Sequence, residues 1–77
     1  MDYKKILTDI ARAIVDSPDQ VSVTETVEED EIKLVLTVAP EDTGMVIGRH
    51  GKIAKAIRSV MKVAAGKSGK RITVEIE

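Results

Sequence analysis

The chain has 77 residues, of which 43% are apolar, a size that predicts one domain over 1–77 burying only about 60% of the surface its unfolded chain exposes. It has no cysteine, no Phe or Trp and a single tyrosine, Tyr3. Disulfides, thiol nucleophiles, Cys-ligated metals and base stacking on aromatic rings are thereby excluded, and a reducing interior is the expected compartment. No apolar run has the length of a signal peptide or a membrane span, so a soluble cytoplasmic protein is expected.

Asp2 is placed to cap a helix, in which Tyr3, Ile6, Leu7, Ile10, Ala11 and Ile14 recur at three- and four-residue intervals up to about Asp16. Ser17-Pro18-Asp19 breaks it. Val21, Val23 and Val27 then alternate with polar residues as in a half-buried strand, and Glu28-Glu29-Asp30 forms a turn. A second strand carries Ile32, Leu34, Leu36 and Val38 on one face and Lys33, Val35 and Thr37 on the other. Pro40, Glu41 and Asp42 suit the start of a short helix ending near Ile47.

After Gly48-Arg49-His50-Gly51 a longer helix is predicted from Lys52 to about Ala65, then a Gly66-Lys67-Ser68-Gly69 linker. A last strand turns Ile72, Val74 and Ile76 inward. The order is α-β-β-α-turn-α-β. An antiparallel hairpin followed by a two-helix crossover predicts a three-stranded mixed sheet with all helices on one face, a two-layer α+β domain.

The net charge of −1 hides a division. Residues 1–42 hold four bases against eleven acids, a net of −7, whereas residues 43–77 hold eight bases against two acids, a net of +6. A polyanion would respond to the basic half within a Debye length, although two solvated charged faces would show the same segregation.

Gly48 and Gly51 are poor helix residues and good turn residues, and they allow another backbone to approach closely. The helix that opens after Gly51 begins with unpartnered N–H groups, a ready place for a phosphate. Arg49, Lys52 and Lys55 add positive charge there.

The run Val46-Ile47-Gly48-Arg49-His50-Gly51-Lys52, with Ala54 and Ile57 at core spacing after it, resembles the signature of KH domains, in which a GxxG turn between two helices clamps a nucleic-acid backbone. The order of elements resembles the type II KH topology. Length and arrangement are similar to the small bacterial KH-domain protein A family, associated with a larger KH-containing partner of the Jag type.

The resemblance implies an RNA-binding protein or RNA chaperone that grips about four nucleotides of single-stranded RNA. Gly48 and Gly51 would give backbone access, Arg49 and His50 would face phosphate, and Lys52 and Lys55 would supplement the charge. Val46, Ile47 and the strand from Ile32 to Val38 would make the apolar floor and wall of the groove. Ala54, where many KH domains carry a larger aliphatic, would let the helix lie closer to the sheet. The acidic run Glu28-Glu29-Asp30-Glu31, opposite the clamp, would weaken binding.

His50 is the only histidine, and no nucleophile or carboxylate is spaced to make it catalytic. Gly51-Lys52 is followed by Ile53, and position 46 is Val, so the turn is not a P-loop. The acids lack the spacing of a calcium loop. No catalytic residue, metal, cofactor, small-molecule substrate or membrane partner is expected.

The rival reading is a protein-interaction module with little RNA binding. Apolar residues fill an arc of about 200° on the second long helix, wider than one sheet requires. Ile53, Ala56, Val60 and Val63 form the surplus edge, a candidate interface for a homodimer or for the Jag-type partner. Packing against the first helix would equally account for it.

Overall fold

Three short strands and three helices are built around a strand that is central in space and early in sequence. The computed structural model describes residues 1–77 as α1 (Tyr3–Ile14), β1 (Ser22–Val27), β2 (Glu31–Thr37), α2 (Thr43–Ile47), α3 (Lys52–Ala65) and β3 (Arg71–Ile76). The sheet order is β1-β2-β3. β1 and β2 pair antiparallel with Val23 opposite Leu36, and β2 and β3 pair parallel with Leu34 opposite Val74. A parallel return needs a long crossover, which α2 and α3 supply.

The two-residue period of β2 decides where the core lies. Ile32, Leu34 and Leu36 are buried beneath the helices, while Lys33 and Thr37 face out from the other side of the sheet. α1 delivers Leu7 and Ala11 to this core, and α3 delivers Ala54, Ile57, Met61 and Ala65 at spacings of three and four residues. Apart from Asp42 the buried set is apolar and free of aromatic rings, made of Val, Leu, Ile and Ala with Met61. Its energy therefore comes from interlocked branched chains, and truncating Leu34 or Leu36 to Ala would cost about 2–5 kcal/mol.

Each helix ends for a local reason. The Asp2 carboxylate accepts the Lys5 N–H at 3.0 Å and caps α1. At its other end Val15 leaves helical geometry at ψ 161°, three residues before a proline-led turn at Pro18–Gln20. The expected single helix after Val38 is two pieces, a 3-10 turn Pro40–Asp42 and then α2.

Asp42 is the reason for that joint. It is the one buried charged residue, 1% exposed, and its Oδ2 accepts the Ser17 N–H at 3.0 Å across 25 positions of sequence. Its side chain makes no capping bond to α2. The acid expected to serve a helix dipole instead pins the α1–β1 connection to the start of the crossover.

Two expectations for the hairpin change. Val27, expected to share the inward face of β1 with Val23, is 56% exposed. The acidic turn lies beside the start of β3, where Arg71 donates its amide N–H to the Asp30 carbonyl at 3.0 Å.

Replacing Asp42 by Ala leaves the Ser17 N–H without its charged acceptor, a bond of about 1.5–3 kcal/mol. Urea denaturation should show a loss of that size with an unchanged slope; a loss below about 0.5 kcal/mol would mean that the connection is not held by this bond.

Candidate nucleic-acid interface

The four residues between α2 and α3 take a backbone path that few side chains permit. Gly48 has φ 76°, ψ 173°, Gly51 has φ 74°, ψ 15°, and His50, at φ 57°, is the only non-glycine residue with positive φ. The turn is closed from inside. Gly48 donates its N–H to the Gly44 carbonyl at 2.9 Å, Gly51 to the Gly48 carbonyl at 3.2 Å, and Lys52 to the Arg49 carbonyl.

The two glycines are required for different reasons. A Cβ at Gly48 would stand 2.3 Å from Ile53 Cγ1 and 2.9 Å from the Ile53 backbone nitrogen, so contact with the first turn of α3 and dihedral angle both forbid a side chain. A Cβ at Gly51 would meet nothing within 4 Å. Only the left-handed backbone favours glycine there.

Arg49, His50, Lys52 and Lys55 are all exposed, and none makes an ion pair. The first turn of α3 contains no acid. Cations at a helix N-terminus oppose the macrodipole by about 0.3–1 kcal/mol each, so this placement works against the helix unless an anion sits between them.

Ile47, 38% exposed, lies beside the turn, but Val46 is fully buried. Val46 is thus a core peg that fixes α2 and cannot present a face to a ligand. The strand expected to wall a groove is corrected likewise: Ile32, Leu34, Leu36 and Val38 are 0–5% exposed and belong to the core. The strand edge that α3 meets is β3. There the Arg58 Nε donates to the Val74 carbonyl at 3.1 Å, spanning the gap between α3 and an edge with no strand neighbour. Arg58 was not singled out by the sequence, because helical spacing places it on the polar side without saying which strand it faces.

The acidic turn is at the other end of α3, whose 14 residues rise about 21 Å. Lys33 Nζ lies 3.4 Å from a Glu28 carboxylate oxygen and 4.0 Å from one of Glu31. Separation by about two Debye lengths and partial pairing both reduce its effect at the glycine turn.

Ala54 is buried, as its spacing predicts. Ile53, Val60 and Val63 are 37%, 51% and 79% exposed, and Ala56 is exposed as well. α1 therefore does not bury the surplus edge. Its Ile10 and Ile14 instead join Ile53, Ala56, Ile57 and Val60 in lining an apolar cleft of about 380 Å³ between the two helices. No helix is long and apolar enough to cross a membrane.

A family model described as "KhpA/KhpB, KH domain" matches residues 4–76. The chain belongs to this KH-domain family. The "RNA-binding protein KhpA" of Clostridium acetobutylicum is 56% identical over 73 residues, covering 95% of this chain and 97% of the relative. That of Clostridium perfringens is 51% identical with the same coverage, and that of Listeria monocytogenes is 36% identical over 95% of this chain and 96% of the relative. KhpA/KhpB is not an enzyme family, and the order α1-β1-β2-α2-α3-β3 is that of a type II KH fold.

Gly48→Ala should destabilise the protein by about 2–4 kcal/mol, from left-handed strain plus overpacking against Ile53, and Gly51→Ala by only about 1 kcal/mol. Thermal or urea unfolding of the two variants checks the ordering. Equal losses would contradict the close contact at Gly48.

Proposed function

We propose that the chain binds single-stranded RNA, holding the backbone of about four nucleotides against the Gly48–Gly51 turn. The observation that carries this reading is the group of exposed, unpaired cations at the N-terminus of α3, where they oppose the helix dipole and gain a partner only from an anion. Arg49 and His50 contact phosphate from the turn, Lys52 and Lys55 add charge from α3, and Ile47 offers apolar contact to a base. The curated relatives' names, RNA-binding proteins, support the same substrate.

A second part of the proposal concerns assembly. Ile53, Ala56, Val60 and Val63, with Ile10 and Ile14 from α1, form a face that a second copy, or a larger KH-containing partner of the Jag type, would cover. Each large aliphatic buried there contributes about 1.5–3 kcal/mol. Pairing would let two turns act on one RNA and raise affinity through effective concentration. Such a protein acts in the cytoplasm in post-transcriptional regulation or as an RNA chaperone. The apolar cleft also supports the rival reading of an interaction module, which differs in predicting no RNA affinity.

Arg49→Asp with His50→Asp should abolish RNA binding and leave the helical circular dichroism unchanged, since both side chains are exposed and Asp tolerates the left-handed angle at position 50 better than most residues. Wild-type affinity in that variant would rule out the turn. For two or three phosphate contacts the log–log salt slope should be about −1.5 to −2, at ~0.7 per contact on single strands. Salt-independent binding would point instead to apolar packing of bases.

For assembly, Val60→Asp with Val63→Asp should yield a folded monomer by light scattering. These positions are preferable to Ile53, which also seats Gly48. A monomeric wild type would end the homodimer proposal and leave the heterologous partner to be tested directly.

A further inference from the structure

At position 50 the backbone decides which side chains the turn can carry. His50 has φ 57° and ψ 25° and is the only non-glycine residue with positive φ. Left-handed geometry crowds a Cβ against the following carbonyl, and the non-glycine types that accept it most readily are Asn, Asp and His. Beside a phosphate these three differ in charge: Asn is neutral, Asp repels the anion, and His attracts it once protonated. The position therefore admits a cation readily only in a titratable form.

Nothing else in the fold has a claim on that ring. His50 is exposed, it makes no ion pair, and its ring nitrogens enter none of the side-chain hydrogen bonds. The elements packed against the turn are α2 and α3. α2 has no charged residue, α3 contributes Lys52 and Lys55 from its first turn, and Arg49 adjoins the ring within the turn. Ahead of α2, Asp42 is buried and committed to the Ser17 N–H, while Glu41 is exposed and unpaired. The imidazole thus has cations beside it and no carboxylate bound to it. A phosphodiester set against the turn would be its counter-charge, and an opposite charge within about 4–6 Å favours the charged form of an imidazole. A charge-assisted hydrogen bond to the phosphate oxygen is also about twice as strong as a neutral one.

We propose that RNA binding at the glycine turn takes up one proton from solvent on His50, so that the grip on phosphate tightens as pH falls through the range of about 5–8 in which imidazoles change charge. This rests on the RNA-binding reading above and adds to it a regulation by pH. Linkage fixes the sign. The bound state holds more protons than the free state, so affinity rises as pH falls, by at most about tenfold per pH unit for a single proton.

The test measures binding of a short single-stranded RNA, whose phosphodiesters stay singly charged throughout, by wild type and His50→Asn from about pH 6 to pH 8. The Asn variant keeps a side chain suited to the left-handed backbone and removes the charge. Wild type should bind about fivefold more tightly at the acid end, the difference between a charged and a neutral hydrogen bond. Its log–log salt slope should steepen there by up to about 0.7, one further phosphate contact. The variant should bind with the wild-type affinity of the alkaline end and show no pH dependence. In the wild type, the midpoint of the imidazole carbon-bound proton resonances should move to higher pH when RNA is saturating. A wild type that binds RNA with a flat pH profile and an unmoved midpoint overturns the proton uptake and leaves the turn's role standing. A pH dependence that persists in His50→Asn places the proton elsewhere, for example on the terminal amine, and also overturns it. Absence of RNA binding at every pH takes down both readings. Should His50→Asn fail to fold, the resonance titration of the wild type decides alone.

Discussion

The missing side chain at Gly48 fixes the relation between the two crossover helices. Ile53 occupies the space that a Cβ would need, so α2 ends and α3 begins with their backbones closer than any other residue at position 48 would allow. Ile53 also lines the apolar cleft with Ile10 and Ile14. One side chain is therefore shared between the floor of the glycine turn and the face available for assembly. A partner settling on that face would press on the residue that sets the turn, and a change at Ile53 cannot be assigned to either role alone.

Side-chain periodicity made much of the fold legible. The long helix was predicted from Lys52 to Ala65 and has those bounds, because turn glycines precede and follow an unbroken pattern of aliphatics at helical spacing. Periodicity also assigned faces correctly along β2. It could not say which strand lies at the edge. The groove wall was accordingly expected on β2, whose alternate residues are core, whereas the strand beside the bases of α3 is β3, a consequence of the parallel return. Val46 was misread for a related reason: its place next to the turn in sequence suggested contact with a ligand, but α2 is only five residues long and its one buried position anchors the whole segment.

Asp42 was the least legible residue. Its neighbours Pro40 and Glu41 make a carboxylate at a helix start look like a local device, and the bond that matters spans 25 residues to Ser17. Nothing in the pattern around either position signals it. Only the packed fold shows that the α1–β1 connection passes over the start of the crossover, where the part-buried Ser17 N–H takes the Asp42 carboxylate as its acceptor. The acidic turn shows the same limit. Its charges were countable, but their distance from the glycine turn depends on the length of α3 and on β3 starting beside β2.

A protein without Phe or Trp and with a single Tyr would have to bind a polyanion by means other than ring stacking, and its charge is distributed in a way that bears on this. Acids dominate the first half of the chain and bases the second, yet this is not a simple division of the surface, since the acidic turn and the start of β3 are neighbours. Glu28 and Glu31 share Lys33, Glu29 and Asp30 make no ion pair, and the bases along α3 have no carboxylate partner. Exposed ion pairs are worth less than about 1 kcal/mol, so leaving those bases free costs the fold little. It keeps them available to phosphates. If a nucleic-acid backbone is held at the turn as proposed, discrimination among bases would fall to hydrogen bonds and apolar contacts, for which Arg58 at the edge of β3 and Ile47 beside the turn are available groups.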